Sequence, residues 1–338
     1  MTGGTRRVTI NTIAQAAGVS VPTVSRVLNG RADVSQGTRD RVEQLLQQHG
    51  YRRRGSRRSG RASLVDLVFN DLDSPWAVEL IRGVEDATHA AGVGTVVSAV
   101  HRRSVPTKQW LQNLRARASD GVIFVTSELS SPVQSELHRL GIPVVVVDPA
   151  GGAAADVPTI GATNWAGGLS ATEHLVSLGH RRIGLIAGPK HLLCSRARLD
   201  GYRAGLEAAG IATDDLIVQG DFLHESGFAG CAALLDLPDP PTAVFASSDT
   251  MALGGYEAAR RRGLRVPDDV SIVGFDDLPE SRWSSQPLTT VRQPLAEMGI
   301  LAARTALRLA RGERIDTPRV ELATNLVVRD STAPPRTL

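Results

Sequence analysis

The sequence predicts an all-α helix-turn-helix head over residues 1–51, a linker over 52–63, and an α/β body over 64–338. The body should hold two doubly wound parallel-sheet halves. Three observations carry this. Apolar residues recur at helical spacing through the first fifty positions. From residue 64 onward, short apolar runs alternate with amphipathic stretches. The charge also changes sign along the chain. Residues 1–63 hold 12 Arg, no Lys and 3 acidic residues, net +9, while the rest holds 26 basic and 32 acidic residues, net −6. A basic head on an acidic body is the layout of a nucleic-acid-binding module joined to a soluble domain.

In the head, Thr9 is a good N-cap, and Ile10, Ile13, Ala14 and Ala17 follow at i, i+3, i+4 and i+7. Gly18 stops this helix as a C′ residue. Ser20 caps a second helix with Val24, Val27 and Leu28 on its inner face, ended by Asn29-Gly30. Ser35 caps a third, with Val42, Leu45 and Leu46 apolar and Gly50 as its stop. The tight turn between the first two helices is the helix-turn-helix signature. In that arrangement the second helix enters the major groove with Val21, Pro22, Thr23, Ser25 and Arg26 toward the base edges. Arg26 can pair bidentately with guanine, and Val21 can touch a thymine methyl. Thr23 and Ser25 have an alternative role in capping or packing.

The linker reads RRRGSRRSGRAS, with Arg52, Arg53, Arg54, Arg57, Arg58 and Arg61. These arginines can follow phosphates or enter a narrow minor groove. The plainer alternative is a basic tether that adds salt-sensitive affinity.

In the body, strands are expected at 64–69, 94–100, 121–126, 143–148, 182–188, 216–221, 243–249 and 270–277. Two series of four imply two similar halves with a cleft between them. Asp71, Asp148, Asp221, Asp249, Asp276 and Asp277 stand at strand ends, where a doubly wound fold opens its ligand crevice. His180, after Gly179, reads as a capping residue at a helix end. Cys194 and Cys231 match no ligand spacing and read as buried free thiols.

Several classes drop out. No run of about 18 apolar residues suggests a membrane span, and the N-terminal stretch has no uninterrupted apolar segment of a secretory signal, so a cytoplasmic location is expected. No nucleotide-binding glycine motif, nucleophile elbow or HExxH motif occurs. Neither enzyme activity, nor a cofactor, nor a metal is implied.

The string VTINTIAQAAGVSVPTVSRVLNGRADVSQGTRDRVEQLLQQHGY resembles the DNA-binding head of the lactose-repressor (LacI/GalR) family. The body strings HLVSLGHRRIGLIAG, RLDGYRAGLEAAG, SSDTMALGGYEAARRRGLRVPDDVSIVGFDD and PLTTVRQPLAEMG resemble that family's effector domain, which has the periplasmic-binding-protein fold. The resemblance implies three chain crossings between the halves, near residues 159, 290 and 322. It puts Val21, Pro22 and Arg26 at base-reading positions, with Thr23, Ser25 and Asn29 at phosphate-contacting or structural ones. Family members usually have a proline-containing hinge with a leucine that wedges into the minor groove; this linker has neither Pro nor Leu.

For the effector, the resemblance implies contacts from Arg198, Asp276, Asp148, Ser248 and Phe222, and Trp76 offers a second stacking surface. Trp283 could close the pocket edge, and Trp165 is expected to pack at the start of the crossover helix. Each has a structural alternative. Arg198 could pair with Asp200 or another acid, Asp276 could cap a turn, and Phe222 and Trp76 could be core. Asp and Arg forks with aromatic platforms suit a mono- or oligosaccharide, while a purine could stack on Phe222. The partners so implied are operator DNA, a small effector, and a second copy of the chain in a homodimer; no heptad extension follows the body.

Overall fold

A computed structural model describes residues 10–28, 34–48, 63–100, 108–125, 131–151, 157–212 and 216–336. The chain divides into two compact units, 1–60 and 61–338.

The head holds α1 (Ile10–Ala17), α2 (Val21–Leu28) and α3 (Gln36–Gln48). Ile13, Ala14, Ala17, Val24, Val27 and Val42 are buried together, with Leu45 and Leu46 partly buried against them. Gly18 takes φ +65° between α1 and α2, a conformation that glycine adopts without a Cβ penalty. The Thr23 amide donates to the Ser20 hydroxyl at 3.3 Å, so Ser20 caps α2.

The body's first half contains β1 (Leu64–Phe69), α4 (Pro75–Ala90), β2 (Gly94–Ala99), α5 (Lys108–Arg117), β3 (Gly121–Val125), α6 (Ser131–Arg139), β4 (Val144–Val147) and β5 (Thr159–Ala162). The chain then enters the second half through α7 (Asn164–Ser177), β6 (Ile183–Ala187), α8 (Leu193–Ala208), β7 (Ile217–Gln219), α9 (His224–Leu235), β8 (Ala243–Ala246), α10 (Asp249–Arg261), β9 (Ser271–Asp276), α11 (Glu280–Trp283) and β10 (Thr289–Arg292). It returns for α12 (Leu295–Ala310) and β11 (Arg319–Leu322), then crosses again to β12 (Asn325–Val327). The two sheets run β11-β5-β4-β3-β1-β2 and β12-β10-β9-β8-β6-β7, parallel throughout except for the β10–β12 pair.

The chain passes between sheets after Ala162, after Arg292 and after Leu322. The first two passages fall slightly later than the expected 159 and 290, because those positions are themselves strand residues. β5 (TIGA), β10 (TTVR), β11 (RVEL) and β12 (NLV) escape the sequence reading because each mixes one or two large apolar residues with polar residues or glycine, so no apolar run marks it.

Helices cover both faces of each sheet, which is why the strands read as near-continuous apolar runs. In the first half, Val65, Leu67 and Phe69 face Leu80, Val84, Met298 and Ala302, while Val68, Phe124 and Val146 face Trp110, Leu114 and Leu137. In the second half, Leu185, Phe245, Val273 and Phe275 cluster with Tyr202 and Leu206. α7 and α8 meet through glycines: a Cβ on Gly168 would strike the Arg198 carbonyl, and one on Gly201 the Trp165 carbonyl. That close approach fixes where Arg198 stands.

His180 caps the end of α7 as expected, its amide donating to the Leu175 carbonyl at 3.2 Å after Gly179 at φ +99°. Its ring bonds Thr242 at 2.8 Å and the Ala333 carbonyl at 2.9 Å, tying the C-terminal segment to the second sheet. Trp165, expected to pack, is 47% exposed.

Candidate functional site

A cleft of about 700 Å³ opens between the strand ends of the two halves of the body, within the range of small-molecule sites. Seven of the eight expected effector residues line it. The first half supplies Asp71 and Trp76, around the β1–α4 loop, and Asp148 after β4. The second half supplies Arg198 on α8, Phe222 after β7, Ser248 before α10 and Asp276 at the end of β9. Trp283 is not among them. α11 turns Ser281 inward and leaves Trp283 76% exposed, away from the cleft.

The backbone is strained where the cleft forms. Asp148 (φ +48°), Phe222 (φ +72°) and Asp276 (φ +120°) make up half of the six described non-glycine residues with positive φ. Such residues concentrate at ligand sites, where the surrounding fold holds them in place.

Arg198 is the hub. It is 3% exposed. Its Nε donates to Asn164 Oδ1 at 2.9 Å and its Nη1 to the Ser247 carbonyl at 2.5 Å. The guanidinium lies 3.8 Å from the Phe275 ring centroid and 5.5 Å from that of Phe222, a cation–π sandwich. Its acidic partner is Asp276 at 3.6 Å, whereas Asp200 stands beside Arg203. Asp276 Oδ1 also accepts from Gln293 Nε2 at 2.6 Å. Burial pushes the Asp276 carboxyl up to about 7; Arg198 and Gln293 pull it down, and Asp148 pushes it further up.

Asp148 is raised as well, chiefly by burial, against the field of Arg198 and a hydrogen bond with Cys194. Burial, reinforced by Asp148, drives the Cys194 thiol well above its ordinary value, so it stays neutral. Cys194 and Cys231 are both buried free thiols. That Cys194 touches a cleft carboxylate is not readable from spacing.

Two strand-end acids do other work. Asp249 turns inward, accepting from the Thr290 hydroxyl and from the Leu278 amide at 2.8 Å. Asp277 meets Arg329, Arg292 and Arg282, and the first two outweigh burial to hold its carboxyl low. Asp221 lines the cleft but accepts from the Leu223 amide at 2.9 Å. Ser248 accepts from the Met251 amide at 3.1 Å and donates to the Phe222 carbonyl at 3.3 Å, so it caps α10 and supports the Phe222 turn.

Sequence reading passed over Asn164, Gln293 and Phe275. The first two lie in the crossing segments TNWAGG and VRQPL. A lone polar residue beside a crossing is the only signal they offer.

In the head, Pro22 and Arg26 are exposed on α2, and Val21, Thr23 and Ser25 are half-buried. The Ser20 and Thr23 hydroxyls share a 2.8 Å hydrogen bond. Thr9, Asn29, Arg53, Arg54, Arg57, Arg58 and Arg61 lie outside the described residues. Among the described residues, no group of three or more His, Cys, Asp or Glu is placed to hold a metal ion, and no helix is long and apolar enough to cross a membrane.

Residues 9–54 match the family described as bacterial regulatory proteins, lacI family, and residues 172–332 match the periplasmic binding protein-like domain. The HTH-type transcriptional regulator DegA of Bacillus subtilis is 34% identical over 97% of this chain and 99% of that protein. The structure of the transcriptional regulator CelR–cellobiose complex aligns with a TM-score of 0.74 at 35% identity, covering 96% of this chain and all of that one. The lac repressor dimer bound to operator and an anti-inducer aligns at 0.71 and 30% identity, covering 97% and 100%. These relatives are regulators rather than enzymes. With both halves of its architecture matched end to end, the chain belongs to the lacI family of bacterial regulatory proteins: it is a DNA-binding transcription regulator with a small-molecule effector.

Proposed function

We propose that this regulator is a cytoplasmic homodimeric repressor of a pseudo-palindromic operator, with an affinity set by a sugar in the cleft of the body. The observation that carries the sugar reading is the preset pair of Arg198 and Asp276 beside the Phe222 ring. Forked donors and acceptors take vicinal hydroxyls, and the ring takes the C–H face of a pyranose. Cellobiose in the CelR complex is consistent with this. Val21, Pro22 and Arg26 are the base-reading residues in this reading, with Ser20, Thr23 and Ser25 holding or positioning α2.

Ligand closing the cleft changes how the two copies present their heads. A coupling of about 1–3 kcal/mol changes operator affinity roughly 5- to 150-fold. The exposed Trp283, Val78 and Val97 are apolar surface that a second copy can cover, and the dimeric lac repressor supports that assembly.

A thermal-shift screen of the full-length protein against mono- and disaccharides, nucleosides and purines tests the effector. Ligand at about 100 times its Kd adds about 2.7 kcal/mol of stability. A sugar hit that disappears in Arg198→Ala and Asp276→Ala is expected; a hit confined to purines replaces the sugar reading.

A further inference from the structure

Acids outnumber bases inside the cleft. Asp71, Asp73, Asp148, Asp221 and Asp276 line it, against Arg198 and Lys190 as fixed cations and His191 beside them. Lys190 and His191 are exposed at the rim, so Arg198 is the one buried cation among the described lining residues. Its fork is already committed to Asn164, the Ser247 carbonyl and Asp276.

Asp148 is left over. It is 6% exposed and lines the cavity. Among the described residues it forms no salt bridge, and its side-chain hydrogen-bond partner is the neutral Cys194 thiol. Asp277, by contrast, meets three arginines. A buried carboxylate with no ion-pair partner of its own and only the more distant field of Arg198 is costly, and Asp148 lines the space a ligand fills. An ammonium supplies the missing charge and up to three donors. A phosphate or carboxylate would add a further anion beside Asp148 and Asp276 and find only the rim cations uncommitted by salt bridges.

We propose that the effector carries a protonated amine alongside its hydroxyls, an amino sugar in chemical class, with the ammonium seated on Asp148 and hydroxyls on Asp276 and Arg198. This rests on the reading that the cleft takes a polyhydroxylated effector. The raised Asp148 and Asp276 carboxyls point the same way, since burial without enough counter-charge disfavours their ionised forms.

The test is calorimetric titration of the full-length protein with matched sets of probes: glucose, glucosamine, glucose 6-phosphate and glucuronic acid, then the galactose series, then cellobiose beside the disaccharide of glucosamine. In any set that binds, the amine should bind about tenfold or more tighter than its neutral parent, because desolvated charge pairs contribute at least that much. The acidic members should not bind. Asp148→Asn should bring the amine-to-parent ratio close to one, whatever it does to both affinities. A neutral parent binding as tightly as its amine, or an acidic member binding at all, overturns the amine assignment and leaves the sugar reading standing. Silence from every sugar, neutral and aminated, overturns the sugar reading itself.

Discussion

The two walls of the cleft are built differently. On the second-half wall, Arg198 and Asp276 are buried in a network with Asn164, Ser247, Gln293 and Phe275. On the first-half wall, Asp71 and Trp76 are half-buried, Asp73 is exposed, and the one deeply buried acid, Asp148, forms no ion pair among the described residues. The second-half wall is set before ligand arrives, so little ordering remains to oppose binding there. In the proposed reading, Asp148 on the first-half wall gains its ion-pair partner on binding. Substitutions on the second-half wall should therefore harm folding and binding together, and those on the first-half wall chiefly binding.

The largest effect is expected from Arg198→Ala. It strands Asp276 and the Ser247 carbonyl in a buried site, and breaking such a network costs about 3–5 kcal/mol. Urea unfolding should show that loss, and the effector response should vanish. A mild loss would mean the network is less committed than its geometry implies.

Gly188→Ala comes next. A Cβ there would clash with the edge of the Phe222 ring, and overpacking of this kind costs about 1–3 kcal/mol. Melting temperature and effector affinity should fall together. Trp76→Ala sharpens the contrast on the opposite wall. The half-buried ring should give up only about 1–2 kcal/mol of stability, below the usual 3–5 for a buried aromatic, while effector affinity falls about tenfold. A stability loss as large as that of Arg198→Ala would show the two walls to be equally committed to the fold.

The remaining effect is a pH slope. Burial raises the folded Asp276 pKa from 3.8 to about 7. As pH rises from 4 to 7, the unfolded chain loses this proton before the folded one does. The stability this group contributes at low pH is thus lost as pH climbs to about 7, and no further change follows above it. Thermal melts of wild type and Asp276→Asn from pH 4 to 8 should differ in slope across that window, with the variant flatter. Parallel slopes would remove Asp276 as the cause.

Much of this molecule is legible in its sequence. The head's packing follows from Ile13, Ala14, Ala17, Val24 and Val27 at helical spacing. Each of the eight runs read as strands holds a strand; the central ones are apolar because both faces are buried, while the edge strands β2 and β7 are partly exposed and carry polar residues. The strand-end acids are read less well. A position after a strand says that an Asp is near the crevice, yet it does not say which way the side chain turns. Asp276 faces the cleft, while its neighbour Asp277 faces three arginines and Asp249 is consumed by Thr290 and Leu278. Trp283 fails for the same reason, one turn of α11 sending it outward. Asn164 and Gln293 are invisible because their role exists only once the crossing segments bring them beside Arg198 and Asp276.

Occupancy of the cleft is proposed to set operator affinity. The direct measurement is fluorescence-anisotropy binding of the full-length protein, at fixed salt, to a duplex it selects from a random pool, with and without a saturating cleft ligand found by the screen. Operator Kd should change roughly 5- to 150-fold with ligand, and the change should be abolished in Arg198→Ala that still binds the duplex. A ligand that saturates the cleft and leaves operator affinity unchanged across salt concentrations would contradict that coupling.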